Sequence, residues 1–422
     1  MPQRGDPVPT TETAPADGPS VTAPSVAPPT WELVSMVAAL MALNALAIDL
    51  MLPALGIIAR DLQLPNANDQ QLVVVAYVLG IGAPQLIYGP VSDRFGRRPP
   101  LFVALVGYAA AGIACALAPD FTTLLAMRFL QGVFASGCRV VSISIVRDLY
   151  VGRGMARVMS LVMTVFMVVP IFAPALGQLV LYVAPWRWCF AVLTAAGVVM
   201  FFWVLVRLPE TLPVAARRPL DIATTLGAYA MIGKSRVTLG YTLAGGVIFG
   251  ALFAFISSAE QIFREVFDQG DAFVLWFAAV AFMLSGATYA NSRLVERFGM
   301  RRMSHVALVG FSTVSVVLYL CMAYVGEELY LFFPLFGLVF AFFGLIGSNF
   351  NALAMEPLGA IAGTASSAFG FATTTLSGVL GGAIARLYDG TTQPVLLGFI
   401  ALGLCALAIV AVTERGKLFD AA

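Results

Sequence analysis

Asp93-Arg94-Phe95-Gly96-Arg97-Arg98 returns, 203 residues further on, as Glu296-Arg297-Phe298-Gly299-Met300-Arg301-Arg302. The interval is close to half of the 422-residue chain. Each copy follows one long apolar stretch and precedes another, which puts it in a short loop between two membrane helices. An echo at so long a fixed period implies duplicated halves. Duplicated helical halves in a membrane are the architecture of secondary transporters.

Composition agrees. The chain is 60% hydrophobic and 11% charged, with a mean hydropathy of +0.90, far too little charge for the surface of a soluble protein of this size. A helix crossing a hydrocarbon core of about 30 Å needs roughly 20 apolar residues. Twelve such spans are expected, at 31–54, 70–92, 99–118, 122–146, 157–181, 187–208, 237–259, 271–292, 303–325, 330–355, 363–387 and 393–413. The stretches lack the period-two alternation of membrane strands, so the fold class is an all-α integral membrane protein of two six-helix halves. The expected organisation is a disordered tail (1–30), a first bundle (31–208), a connector (209–236), a second bundle (237–413) and a short tail (414–422). The first tail holds eight of the 24 prolines and lacks the charged and apolar regions of a signal peptide.

Basic residues set the orientation. With both termini in the cytoplasm, 18 of the 24 Lys and Arg fall in cytoplasmic segments, four lie in outer loops or span ends, and Arg128 and Arg139 lie inside a span. That bias predicts an N-in, C-in topology. Cations of the connector, such as Arg217 and Arg218, are expected to meet anionic headgroups at the inner membrane surface. A net charge of +1 gives no field for nucleic acid. The five cysteines lie in apolar stretches and are read as small apolar side chains.

Several motifs carry a resemblance. Gly89-Pro90-Val91-Ser92-Asp93-Arg94-Phe95-Gly96-Arg97-Arg98 resembles the major facilitator superfamily signature between its second and third helices. Arg128-Phe129-Leu130-Gln131-Gly132 resembles that family's helix 4 motif, and Asp49-Leu50-Met51-Leu52-Pro53-Ala54-Leu55 the helix 1 motif of 12-span drug:proton antiporters. Pro170, Pro174 and Gly177 fall where that group has its helix 5 antiporter motif. Trp186-Arg187-Trp188 and the segment 349–366 also match, so the chain is similar to the Bcr/CflA drug-resistance branch from about residue 40 to 410. The resemblance implies a bacterial inner-membrane exporter that exchanges protons for amphipathic small molecules, working as a monomer among lipids. Two departures stand out. The fuller helix 5 motif has glycine where this chain has Ala173 and Gln178, and related helix 4 sequences have an apolar residue at Arg139.

The motif residues suggest specific chemistry. Asp93, among Arg94, Arg97 and Arg98, can pair with arginine or with helix N–H groups and latch the halves together in one state; Gly89 and Gly96 allow close approach and a tight turn. The alternative is that these arginines only set topology. Asp49 is an acid inside an apolar span, where ionisable groups are costly and usually functional, which suits a proton carrier; the other reading is a helix-end acid near Pro53. Arg128 and Arg139, eleven residues apart, lie on one face of a helix about 16 Å apart, with Gln131 and Ser142 on the same stripe. Arg128 is placed to pair with Asp49, while Arg139 is a candidate either for substrate contact or for an interhelical hydrogen bond. The same two readings apply to Asn349 and Asn351. Glu260 and Glu356 are expected at span ends and His305 at the start of the ninth span.

No enzyme is expected, and no cofactor. One histidine cannot make a metal site, no catalytic Ser/His/Asp set is visible, and there is no G-x-x-x-x-G-K-S/T phosphate loop. Within transport, an uptake symporter or facilitator for a specific metabolite is the alternative to an exporter.

Overall fold

The computed structural model describes residues 28–150, 152–217, 227 and 230–419. The expected N-terminal tail up to residue 27 and much of the connector, including Arg218, lie outside the described residues. Among those described there is no strand. Among the described residues eleven helices are long and apolar enough to cross a membrane, or twelve when a bent pair is taken as one span.

The first half comprises α1 (Thr30–Asp49), α2 (Leu72–Gly82 continuing as Gln85–Phe95), α3 (Arg98–Ala116), α4 (Phe121–Leu149), α5 (Gly152–Val183) and α6 (Arg187–Arg207). The second comprises α7 (Arg236–Gln261), α8 (Phe273–Phe298), α9 (Met300–Tyr324), α10 (Leu329–Met355), α11 (Ala362–Ala385) and α12 (Gln393–Thr413). Predicted and observed spans coincide closely. Two differences have local causes. Pro84 lacks the N–H that would continue the ladder, and α2 bends there by 43°. At Pro53 the helical run does not end. A 3-10 turn (Leu52–Ala54) leads into a further helix (Leu55–Asp61), so the first span runs from Thr30 to Asp61.

Caps and turns follow the sequence. Asp120 accepts hydrogen bonds from the Thr123 N–H (2.8 Å) and hydroxyl (2.9 Å) at the start of α4. Those bonds hold its carboxyl below the usual aspartate range. The two copies of the repeated loop turn alike, with Gly96 at φ +93° and Gly299 at φ +78°. Glycine takes that left-handed backbone without the penalty a Cβ would bring.

The duplication is visible in the packing. In the first half α1 packs on α5, α2 on α4, and α3 on both α4 and α6; in the second, α7 packs on α11, α8 on α10, and α9 on both α10 and α12. Stacked and edge-on phenylalanines, among them Phe255, Phe332, Phe336, Phe340 and Phe399, fill the core of the second half. The halves meet mainly through α2 against α11 and α5 against α8. Hereafter the motif face is the end of the bundle that carries the two repeated loops.

Candidate functional site

Asp49, at the end of α1, is 3% exposed and lies twelve residues before the end of its span, at Asp61. It is therefore well inside the membrane segment. Among the described residues its carboxylate has neither a hydrogen-bond nor an ion-pair partner.

The expected pairing of Asp49 with Arg128 is not made. Arg128 is fully buried and donates instead to the carbonyls of Val73 (3.1 Å) and Ala47 (3.0 Å) and to Gln131 Oε1 (2.8 Å). Its guanidinium also sits over the rings of Tyr77, 4.5 Å from the centroid, and Phe190, at 5.7 Å. The stripe of Arg128 and Gln131 is thus turned into the first bundle, because α1, α2 and α6 all offer it partners there. The helix 5 motif reaches the same region. Pro174 and Gly177 are buried, and a Cβ on Gly177 would overlap the carbonyl oxygen of Leu50, the residue after Asp49. Pro170 lies one turn earlier and is half-buried.

Arg139 lies three turns along α4, nearer the motif face. It is half-buried, and among the described residues it makes no hydrogen bond or ion pair. Asn349 takes the interhelical role, donating to Asn291 Oδ1 of α8 (2.9 Å) and to the Leu345 carbonyl (2.8 Å). Asn351 is exposed on another face of α10.

At the repeated loop, Arg97 is the hub. It is 3% exposed and grips Asp148, at the end of α4, with Nε at 2.7 Å and a second nitrogen at 3.0 Å. Its third nitrogen donates to Asp93 (2.6 Å) and Ser92 (2.8 Å). Burial works against the guanidinium's charge, but Asp148 and then Asp93 outweigh it and its pKa is raised. Glu210 accepts from the backbone N–H groups of Arg97 (2.8 Å) and Arg98 (3.2 Å) at the start of α3, where a carboxylate also suits the helix dipole. Arg98 donates to the Leu205 carbonyl (2.9 Å), and Arg94 is exposed. Asp93 therefore meets Arg97 within its own half, not the second half. Asp148 and Glu210 were not picked out in the sequence, although Glu210 follows the last helix of the half.

The second copy repeats the plan with different residues. Arg301 bonds to Glu356, just after α10 (2.9 Å), and to Glu414, just after α12 (3.2 Å). Tyr241 donates to Glu414 (2.7 Å) and meets His305 Nε2 (3.0 Å), while the N–H of Phe419 in the final tail donates to His305 Nδ1 (3.2 Å). His305 is thus a buried structural residue.

Most described bonds between halves cluster at the end opposite the motif face. Gln71 donates to Gln261 (2.5 Å), Asn68 bonds to the carbonyls of Arg386 and Tyr388, and Arg386 pairs with Asp69 (2.7 Å). Arg264 donates to Gln178 (2.7 Å), and Tyr182 to Asp271 (2.9 Å). Glu260 lies at the end of α7, as expected from its place in the span, and is buried between the halves: it is 7% exposed, 3.7 Å from Arg264, and packs where Gly56 of the other half comes close. Apart from Glu260 with Arg264, these partners come from different halves, so no local sequence signal pairs them. Gln178 itself was noticed, as a departure from the helix 5 motif.

Two internally duplicated six-helix bundles, joined at one end and carrying buried charge in their spans, define a multi-pass membrane transporter. The comparisons with known proteins agree. The Major Facilitator Superfamily profile matches residues 37–382, and the chain belongs to that family. It is 34% identical over 361 residues to YdgK of Bacillus subtilis, named as an uncharacterized MFS-type transporter, covering 82% of this chain and 86% of that one. It is 27% identical to a bicyclomycin resistance protein homolog of Haemophilus influenzae, covering 86% of this chain and 90% of that relative. It is 30% identical to the multidrug resistance protein MdtL of Salmonella heidelberg, covering 79% and 83%. Among solved structures, a D-xylose-proton symporter aligns with a TM-score of 0.74 at 16% identity, over 90% of this chain and 96% of that one. At that identity the likeness concerns the fold.

Proposed function

We propose that the protein is a proton-driven exporter of amphipathic small molecules, drugs among them, working by alternating access as a monomer in a bacterial inner membrane. The observation that carries this reading is Asp49, a buried acid with no cation on it. A carboxylate so placed is costly when charged. It exchanges its proton readily once a water-filled cleft reaches it from one side or the other. Arg128, which bonds the Ala47 carbonyl on the same helix as Asp49, is assigned to modulate that exchange. Pro170, Pro174 and Gly177 let α5 move against α1 beside it. The names of the resistance proteins to which the chain is similar favour export of drugs.

The basic-residue bias supports a motif face turned to the cytoplasm. The bonded end then faces outward, and the described conformation is closed to the outside. The Asp93, Arg94, Arg97 and Arg98 loop, with Gly89 and Gly96, acts as a latch. In this state its charges are satisfied inside the first half; in the outward-open state Asp93 is free to engage the second half. Arg139, Gln131, Asn349 and Asn351 are assigned to the polar lining of the cavity or its immediate support.

The test uses everted membrane vesicles with an imposed inside-acid gradient and a panel of lipophilic antibiotics and dyes. Proton release on substrate addition is compared between wild type and Asp49→Asn. Release that depends on Asp49 supports the mechanism. Equal release from both leaves antiport standing and removes Asp49 from it. A panel that moves nothing points to uptake of a narrow metabolite.

A further inference from the structure

Arg139 is a guanidinium about 15 Å from the motif-face end of α4, close to the middle of a bilayer core by helix rise. Its partial exposure cannot be to hydrocarbon, where an unpaired charge is expensive. Exposure to a water-filled cleft fits such a group. No acid on the neighbouring helices serves it. Glu32 of α1 is held by Arg207 (2.6 Å), Asp148 of α4 by Arg97 (2.7 Å), and neither they nor Asp49 acts on Arg139 electrostatically.

The surroundings are polar and unsatisfied as well. Ser136 and Ser142, three residues to either side on the same face, are fully buried, and their hydroxyls have no partner. Asn44 of α1 donates to the Ala135 carbonyl (3.3 Å), one turn from Arg139, and its Oδ1 is left without a donor. Buried polar groups are normally bonded, so three such residues, each within about one turn of the unpaired Arg139, mark a place completed by something outside the chain.

We propose that the cargo is an amphipathic organic anion whose charged group docks on Arg139. This deepens the exporter reading and rests on it. A guanidinium binds a carboxylate through two parallel charge-assisted hydrogen bonds, and an amphipathic molecule keeps its apolar part against the surrounding helices. A neutral molecule of the same shape forgoes those bonds, and a cation is repelled.

Binding and transport are measured separately with 9-anthracenecarboxylate and its neutral methyl ester. On purified protein, wild type binds the carboxylate about ten- to a hundredfold more tightly than the ester, the range expected of one desolvated charge-assisted pair. In Arg139→Gln the ratio falls to near one; in Arg139→Lys, which keeps the charge and controls for folding, it is largely retained. Equal binding of both probes in wild type, no binding of the carboxylate, or a ratio that survives Arg139→Gln overturns the proposal. In everted vesicles, carboxylate that binds through Arg139 but does not respond to the proton gradient leaves this inference standing and removes the exporter reading. Gradient-driven movement of neutral or cationic compounds, without carboxylate binding, does the reverse.

Discussion

Replacing Arg97 by Met, the residue at the same place in the second copy of the loop, removes one charge and four donated bonds while keeping much of the side-chain volume. The two arms of the hub should not respond equally. Asp148 is 12% exposed, and Arg97 holds it through two nitrogens at 2.7 and 3.0 Å. Leaving a buried partner of an ion pair uncompensated costs about 3–5 kcal/mol, and the residual exposure of Asp148 places the loss near the lower figure. Asp93 is 38% exposed, so its arm is screened and contributes less than about 1 kcal/mol. Arg97→Met is therefore expected to destabilise by about 3–4 kcal/mol, Asp148→Asn by about 3, and Asp93→Asn by less than about 1. A double-mutant cycle read by unfolding in mixed micelles should give an Arg97–Asp148 coupling of about 2 kcal/mol and a smaller one for Arg97–Asp93. If Asp93→Asn proves as damaging as Asp148→Asn, the assignment of Arg97 to α4 as its main anchor is wrong.

Three other outcomes are expected. Gly177→Val drives a side chain into the Leu50 carbonyl; folded yield should fall sharply, with a loss of at least about 2 kcal/mol, and wild-type yield and transport would remove the close α1–α5 contact from the account. Gln261→Leu with Arg386→Gln weakens the bonds that close the end opposite the motif face. Ser257 is buried on α7, one turn before Gln261; with the five native cysteines replaced, labelling of Ser257→Cys by a membrane-impermeant thiol reagent should then rise several-fold, and unchanged labelling would mean that apolar packing alone keeps that end shut. The carboxyl of Asp120 is lowered in the folded state, so the stabilisation it gives is present above the unfolded aspartate pKa and is lost as pH falls through the lower folded value. Asp120→Ala should lower thermal stability at neutral pH and flatten the acid limb below about pH 4, whereas an unaltered acid limb would show that the cap contributes nothing measurable.

Much of the architecture is legible without coordinates. Twelve apolar runs, a glycine at each repeated turn and a 203-residue echo are local or strictly periodic signals. A helix in a bilayer satisfies its backbone internally whatever its neighbours are. Asp49, Arg128 and Arg139 stand out for a related reason, since an ionisable group in an apolar span is conspicuous by composition alone. Pro53 shows the limit of such reading: as a helix breaker it suggests that Asp49 lies near an interface, yet the chain continues through a 3-10 turn to Asp61.

Partner choice belongs to the tertiary structure. Arg97 meets Asp148 from 51 positions away, and its backbone meets Glu210 from 113. Arg128 turns from Asp49 to two carbonyls and Gln131, and Gln71 finds Gln261 across the two halves. The rotation and depth of each helix decide these pairings, and close contacts such as Gly132 against the Tyr77 carbonyl and Gly177 against that of Leu50 set the rotation. Polar side chains interact over only a few ångströms. The sequence could therefore name the charges that must be answered in the membrane, while only the packing of one helix against another decided which were answered from within and left Asp49 and Arg139 to a proton and a cargo.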